Sequence, residues 1–404
     1  MLLHTTIYQT SFNAMAQQYS APTRCYQFVT RSLSLFCALF FAGSVLAQNH
    51  VSNASQAHFF KEQPKLTAGQ WPDNSQDLCF VANETGKYLA KGPAYDPQAI
   101  HGGTLPGIKT DLARVKATLD FICQIQQEDQ RAGRPSRLTQ SDFLQQHFEF
   151  VRWHPDQAAA AKLSKNKPLL ANIPTDQILQ TKYYVRIASG NVAKSAAHPQ
   201  ALYGLPFDEA ALPLADADRL GKQITRFQLG KQEIVRGALE QKPLRAPALI
   251  WLSRADLEGA LLQGTAVIPA AEGYRYFNVH RHNGIPYDRT LTPEQQQRYW
   301  YFKEVRSVLG YGKDADYKIP IAPQVTVAGD IQHFGLGKLV LLATKENGQL
   351  HYRLNILADT GGAFDNNQFQ LDWLSGYYRD WDHYYQANKH RHDYSQAWFL
   401  LKKM

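Results

Sequence analysis

The chain has 404 residues, 44% apolar and 19% charged, with 43 lysines and arginines against 35 acids for a net charge of +8. That length allows two or three domains, each with a buried core, and that composition excludes a disordered, collagen-like or coiled-coil chain. The basic residues are scattered and accompany no nucleic-acid-binding motif, so the charge suits an anionic polymer other than nucleic acid.

Residues 1–47 read as a secretory signal: Arg24 and Arg31 precede the apolar run LSLFCALFFAG, and Val45 and Ala47 occupy the small positions before a cleavage site. The run is shorter than the ~20 residues a membrane span needs. Cys37 lacks the small residues that precede a lipid-attachment cysteine. Cleavage removes two arginines and no acid, leaving +6, and it leaves Cys79 and Cys123 as the only cysteines. In an oxidising compartment these two invite a disulfide, with two separate buried thiols as the alternative.

Residues 48–75 are polar and weakly patterned, and little in 48–107 predicts order. In TDLARVKATLDFICQIQQEDQRAG, Thr110 or Asp111 offers a cap and Leu112, Val115, Leu119, Ile122 and Ile125 recur at helical spacing until Gly133 and Pro135. TQSDFLQQHFEFVRW predicts a second helix, with Thr139 and Asp142 as an approximate capping box and Phe143, His147, Phe148 and Val151 on one side. From about residue 180 the pattern changes to short strand-like runs, among them KYYVRI, APALIWLS, GTAVIP, YRYFNV, VTVAG, KLVLLAT, HYRLNILA and AWFLL. Such density predicts a barrel or sandwich. Asn347-Gly348 predicts a tight hairpin between KLVLLAT and QLHYRLNILA. In the latter, Tyr352, Leu354 and Ile356 alternate with His351, Arg353 and Asn355, which reads as one buried and one wet face.

Three aspartates follow C-terminal strands: Asp330 in VTVAGD, Asp359 in ILADTGG and Asp372 in FQLDW. Gly361 and Gly362 would let the backbone turn sharply and approach a ligand. Asp372 alternates with Phe369, Leu371 and Trp373, so it would face a groove while they anchor the core. A carboxyl there is a candidate general acid if burial and a neighbouring Asp359 raise its pKa above ~3.9. Turn-capping aspartates are the alternative.

The ordered pattern VAGD, GLG, LADTGG, LDW resembles the three-aspartate module of the membrane-bound lytic murein transglycosylase A family. Upstream, Thr181-Lys182-Tyr183-Tyr184 is similar to that family's Gly-Tyr-Tyr stretch, Leu202-Tyr203-Gly204-Leu205-Pro206 to its Leu-Tyr-x-x-Pro, LGKQEIVRGAL to its Thr-Arg-x-Glu-Ile helix, Gln263-Gly264-Thr265-Ala266 to its Gln-Gly-Ser-Gly, and Asn283-Gly284-Ile285-Pro286-Tyr287 to its Asn-Gly-x-x-Tyr. The resemblance runs from about residue 108 to the end. It implies a mainly β fold with N-terminal helices: a double-psi β-barrel domain of 108–187 and 313–404, interrupted by a smaller β domain at 188–312, with a groove between them. It implies an exported, periplasmic and monomeric enzyme on peptidoglycan glycan strands, compatible with peripheral association with the outer membrane. That enzyme cleaves the bond between N-acetylmuramic acid and N-acetylglucosamine and leaves a 1,6-anhydro sugar. Asp372 would be the catalytic acid and base, Asp359 its electrostatic support and Asp330 the holder of the loop. Thr181, Tyr184, Gln263, Gly264 and Thr265 would line the groove.

This chain departs from the pattern at Lys182, at Val185-Arg186, at Ala266 and in the inserted Asp365-Asn366-Asn367. Two other readings stand beside the lyase: a glycosidase working with Asp359 and Asp372, which needs carboxyls ~5 Å or ~6.5–9.5 Å apart, and a noncatalytic cell-wall glycan-binding protein. His280-Arg281-His282 and His390-Arg391-His392 make poor metal sites, and no nucleophile motif occurs, so neither metal nor cofactor is expected.

Overall fold

The computed structural model describes residues 57–404 except 242, 289 and 314. The expected secretory signal lies outside the described residues. The strands are β1 (His58–Glu62), β2 (Phe148–His154), β3 (Ile178–Arg186), β4 (Gly190–Asn191), β5 (Gln200–Tyr203), β6 (Ala248–Leu252) and β7 (Thr265–Ala270). They continue as β8 (Gly273–His282), β9 (Trp300–Val305), β10 (Thr326–Ala328), β11 (Leu339–Glu346), β12 (Gln349–Asp359), β13 (Gln370–Tyr378) and β14 (Arg391–Lys402).

Six strands close into a barrel, in the order β14-β11-β12-β10-β13-β3 and back to β14. The β10–β12 and β3–β13 pairs are parallel and the other four antiparallel. β2 extends the sheet from β14, and β1 lies outside β2. Two three-stranded sheets, β4-β6-β5 and β7-β8-β9, come from the chain between β3 and β10, and a bridge from Ile187 to Val267 joins the end of β3 to the second of them. The fold is mainly β, with a closed barrel beside a second β unit.

Closure explains one departure from the sequence reading. The hairpin forms at Asn347 (φ 49°) and Gly348 (φ 78°). Arg353 and Asn355, expected on a wet face, are nevertheless buried, because β12 is covered on both sides. The interior carries its own polar network: the Thr344 hydroxyl donates to Gln180 Oε1 at 2.7 Å and meets Ser395 Oγ at 2.6 Å. Such a network stands in a low-dielectric core because its members satisfy one another.

The helix Leu112–Arg131 is capped by Asp111, whose carboxylate accepts from Arg114 N at 2.7 Å. The second expected helix is cut short. It runs Ser141–His147, its N-cap is Gln140 rather than Thr139, and Phe148–His154 is strand β2. The run FEFVRW is aromatic and β-branched and finds strands on both sides, and that tertiary pairing prevails over helical spacing. A helix at Ser75–Leu89 stands within the stretch read as unpatterned. Its buried Leu78, Val81, Ala82, Thr85 and Leu89 have helical spacing, a signal the surrounding polar residues masked. Cys79 of this helix and Cys123 of the next are joined by a disulfide.

Candidate active site

Barrel closure gathers the three aspartates at one end. Ala328 of β10 pairs with Asp359 of β12 on one side and with Asp372 of β13 on the other. Asp330 follows β10 after Gly329.

Asp372 is half-buried, and its Oδ1 is buried with no hydrogen-bond partner. An unpaired carboxylate oxygen away from water costs free energy in the charged form and much less when protonated. Burial therefore pushes this carboxyl up to about 7, helped by the charge of Asp359 and opposed by the Thr181 hydroxyl and by the cations Lys182 and Lys167. Asp359 is more constrained. Tyr183 donates its hydroxyl to Oδ2 at 2.9 Å and the Thr360 amide donates to Oδ1 at 2.9 Å. Burial pushes Asp359 up to about 6, while those two hydrogen bonds and Lys318 pull it down. Because the charge of Asp359 raises the pKa of Asp372, Asp359→Asn is expected to lower it. The alkaline limb of the kcat/KM profile should then move down by about half a pH unit or more. An unmoved limb in a pH-rate titration of the variant would exclude this coupling.

Asp330 caps the short helix Ile331–Phe334, accepting from His333 N at 3.1 Å. The following glycines are required: Gly335 has φ +72°, and a Cβ there would meet His101 O at 2.4 Å. Asp330 thus holds a loop and touches neither other aspartate. Gly361 and Gly362 do something other than expected. Neither has left-handed backbone, Gly361 is extended at φ −168°, and a Cβ on Gly361 would meet nothing within 4 Å. Gly361 leaves open space over the turn rather than enabling it.

Opposite Asp372 across the β3–β13 pairing stands Thr181. Its Oγ1 accepts from Gln370 Nε2 at 2.7 Å, and Gln370 Oε1 accepts from Asn367 Nδ2 at 2.9 Å. The inserted Asn367 is therefore a buried buttress of the site. Lys167 reaches the same turn from the segment before β3, donating its Nζ to Ala363 O. Of the adjacent tyrosines it is Tyr183 that meets Asp359, while Tyr184 stacks on Tyr384 with ring centroids 4.6 Å apart. Alternation with Thr181 along the strand was the available signal for Tyr183. Lys167, from a distant segment, had none.

No family profile matches the sequence, and no curated protein matches it. The chain is similar to lytic murein transglycosylases of known structure. MltA of Escherichia coli, crystallised with bound chitohexaose, is 18% identical with a TM-score of 0.48, over 86% of this chain and 95% of that one. The membrane-bound lytic murein transglycosylase of Agrobacterium tumefaciens is 14% identical with a TM-score of 0.48, over 81% and 93%. MltA of Neisseria gonorrhoeae is 16% identical with a TM-score of 0.48, over 81% and 88%.

The remaining expected groove residues lie apart from the aspartates. Gln263 and Gly264 line a pocket with Lys231, Tyr287, Arg298 and Trp300, and no aspartate borders it. Gln263 Oε1 accepts from Arg186 N at 3.1 Å, five residues along β3 from Thr181, or roughly 16 Å at ~3.3 Å per residue. Thr265 is turned inward and buried, its hydroxyl donating to Asn278 Oδ1 at 2.8 Å. It faces a partner strand because β7 pairs Thr265 with Asn278 of β8. Lys182, where the resembling pattern has glycine, lies buried with Nζ 2.6 Å from Asp393 Oδ1. Among the described residues no three His, Cys, Asp or Glu side chains gather as a metal site would, and no helix is long and apolar enough to cross a membrane.

Proposed function

We propose that this chain is an exported peptidoglycan lytic transglycosylase and that Asp372 performs its chemistry alone. The observation that carries this reading is the half-buried Asp372 carboxyl, one oxygen unpartnered and its proton held to about 7. At neutral pH such a group donates a proton to the glycosidic oxygen as the C1–O bond to the leaving sugar breaks. The resulting carboxylate takes the proton of the C6 hydroxyl, whose oxygen closes on C1 to give the 1,6-anhydro ring. Asp372 ends the cycle protonated, and no water is consumed. The fixed carboxylate of Asp359 favours both the protonated acid and the positive charge developing at C1.

The bonds that hold Asp359 argue against the two-carboxylate glycosidase. Asp359 is buried and each of its oxygens is held by a donor of the protein, which lowers its basicity and its access to substrate relative to an open carboxylate. The same reading makes 108–187 with 313–404 the barrel domain and 188–312 the inserted one, with the protein acting as a periplasmic monomer, preceded by a cleaved signal at 1–47. Mass spectrometry of purified sacculi digested with the protein tests it. Anhydromuramyl ends are expected. Reducing ends would support the hydrolase, and binding without release would support a noncatalytic glycan-binding protein.

A further inference from the structure

Lys167 lies outside every motif of the site, yet its ammonium ends there. Its Nζ donates to Ala363 O in the turn Gly362–Phe364, which separates Asp359 from Asp372, and stands 5.9 Å from the Phe364 ring centroid. Burial and its neighbours act on it in opposite directions. Desolvation pulls its pKa down to about 8, while the charges of Asp365 and Asp372 hold it up. The other cation beside Asp372 is Lys182, which is already engaged by Asp393.

We propose that Lys167 is a positioning residue of this site, clamping the Gly362–Phe364 turn to the segment before β3 and holding a positive charge beside Asp372. This rests on Asp372 being the working acid. The clamp ties down the turn that leads, through residues 365–369, into β13, so it helps to place the strand that carries the carboxyl. The charge opposes the push of burial and of Asp359, so it limits how tightly the proton is held. An acid that must also return as a base works best when neither form is too stable. The charged and titratable groups facing this pair are Asp359, Asp365, Lys182 and, on Asp359, Tyr183 and Lys318.

The test is a carboxyl carbon NMR titration of the full-length protein labelled at aspartate, with the Asp372 signal assigned by its loss in D372N. In Lys167→Met the Asp372 midpoint is expected to rise by about half a pH unit or more, and Lys167→Arg is expected to return it to the wild-type value. Turnover should fall about tenfold in K167M, with kcat more affected than KM, and recover in K167R. A midpoint that does not move in K167M overturns the proposal, even if the variant is slower or less stable, because neither the charge nor the position that Lys167 is held to supply would then act on the Asp372 proton. Lys167→Gln, read in the same way, replaces K167M if the methionine variant does not fold. The midpoint reports on Lys167 without any turnover, whereas absence of anhydro products from wild type would overturn the lyase reading by itself.

Discussion

Asp372→Asn is expected to abolish release of anhydromuropeptides, by about 10²–10⁴-fold and toward the upper end, because in the proposed cycle one carboxyl serves as both acid and base. The amide is nearly isosteric but neither donates that proton nor accepts one back. The same substitution should make the protein more stable at neutral pH. The folded-state pKa is raised from 3.8 to about 7, so the folded state binds this proton more tightly than the unfolded chain. Stability therefore falls as pH rises through that window, and an amide escapes the loss. The gain should be on the order of 2 kcal/mol, or a few degrees in Tm, above pH 7, and should vanish near pH 4. Thermal denaturation of both proteins at the two pH values checks it. A variant no more stable at pH 8 than wild type would mean that Asp372 is not held against its ionisation.

Loss of the Cys79–Cys123 bond should give the largest effect on stability. It closes a loop with a sequence separation of 44 and ties the helix Ser75–Leu89 to the helix Leu112–Arg131. A loop of that size is worth about 4 kcal/mol by loop-closure entropy, within the 2–5 kcal/mol typical of removing a native bridge. Urea unfolding of a Cys79→Ala/Cys123→Ala variant should show a matching fall, and the wild type with reductant should approach it. The consequence reaches the site, since Gly337 packs against Leu89, Val115 and Leu119 of these two helices in the loop that Asp330 caps.

The aspartates and the hairpin were legible because each rests on a local rule. Strand alternation pointed Asp372 away from Leu371 and Trp373, and Asn347-Gly348 specified its turn. Features decided by closure were not legible. Arg353 and Asn355 alternate as a half-exposed strand should, and only a ring of strands puts both under cover. Phe148–His154 carries residues compatible with either element, and its partners β1 and β14 come from opposite ends of the described chain. Lys167 and Asn367 could not be found from their neighbours in sequence. Each acts through a contact whose other half is set by the path of a loop, Ala363 for the first and Gln370 for the second. Thr265 was assigned to the groove by resemblance, and its direction on β7 buries it against Asn278, while Tyr184, assigned in the same way, stays partly exposed and stacks on Tyr384.

Of the six barrel strands β14 is made last, yet it is the partner that β3 and β11 share. A growing polypeptide that stops short of Arg391 has an open sheet, with β3 and β11 as free edges and Thr181 and Asp359 on a ring that has no closure. The candidate site is thus completed only when β14 has left the ribosome, and under the proposed function a fragment truncated before it should be inert toward any glycan it meets.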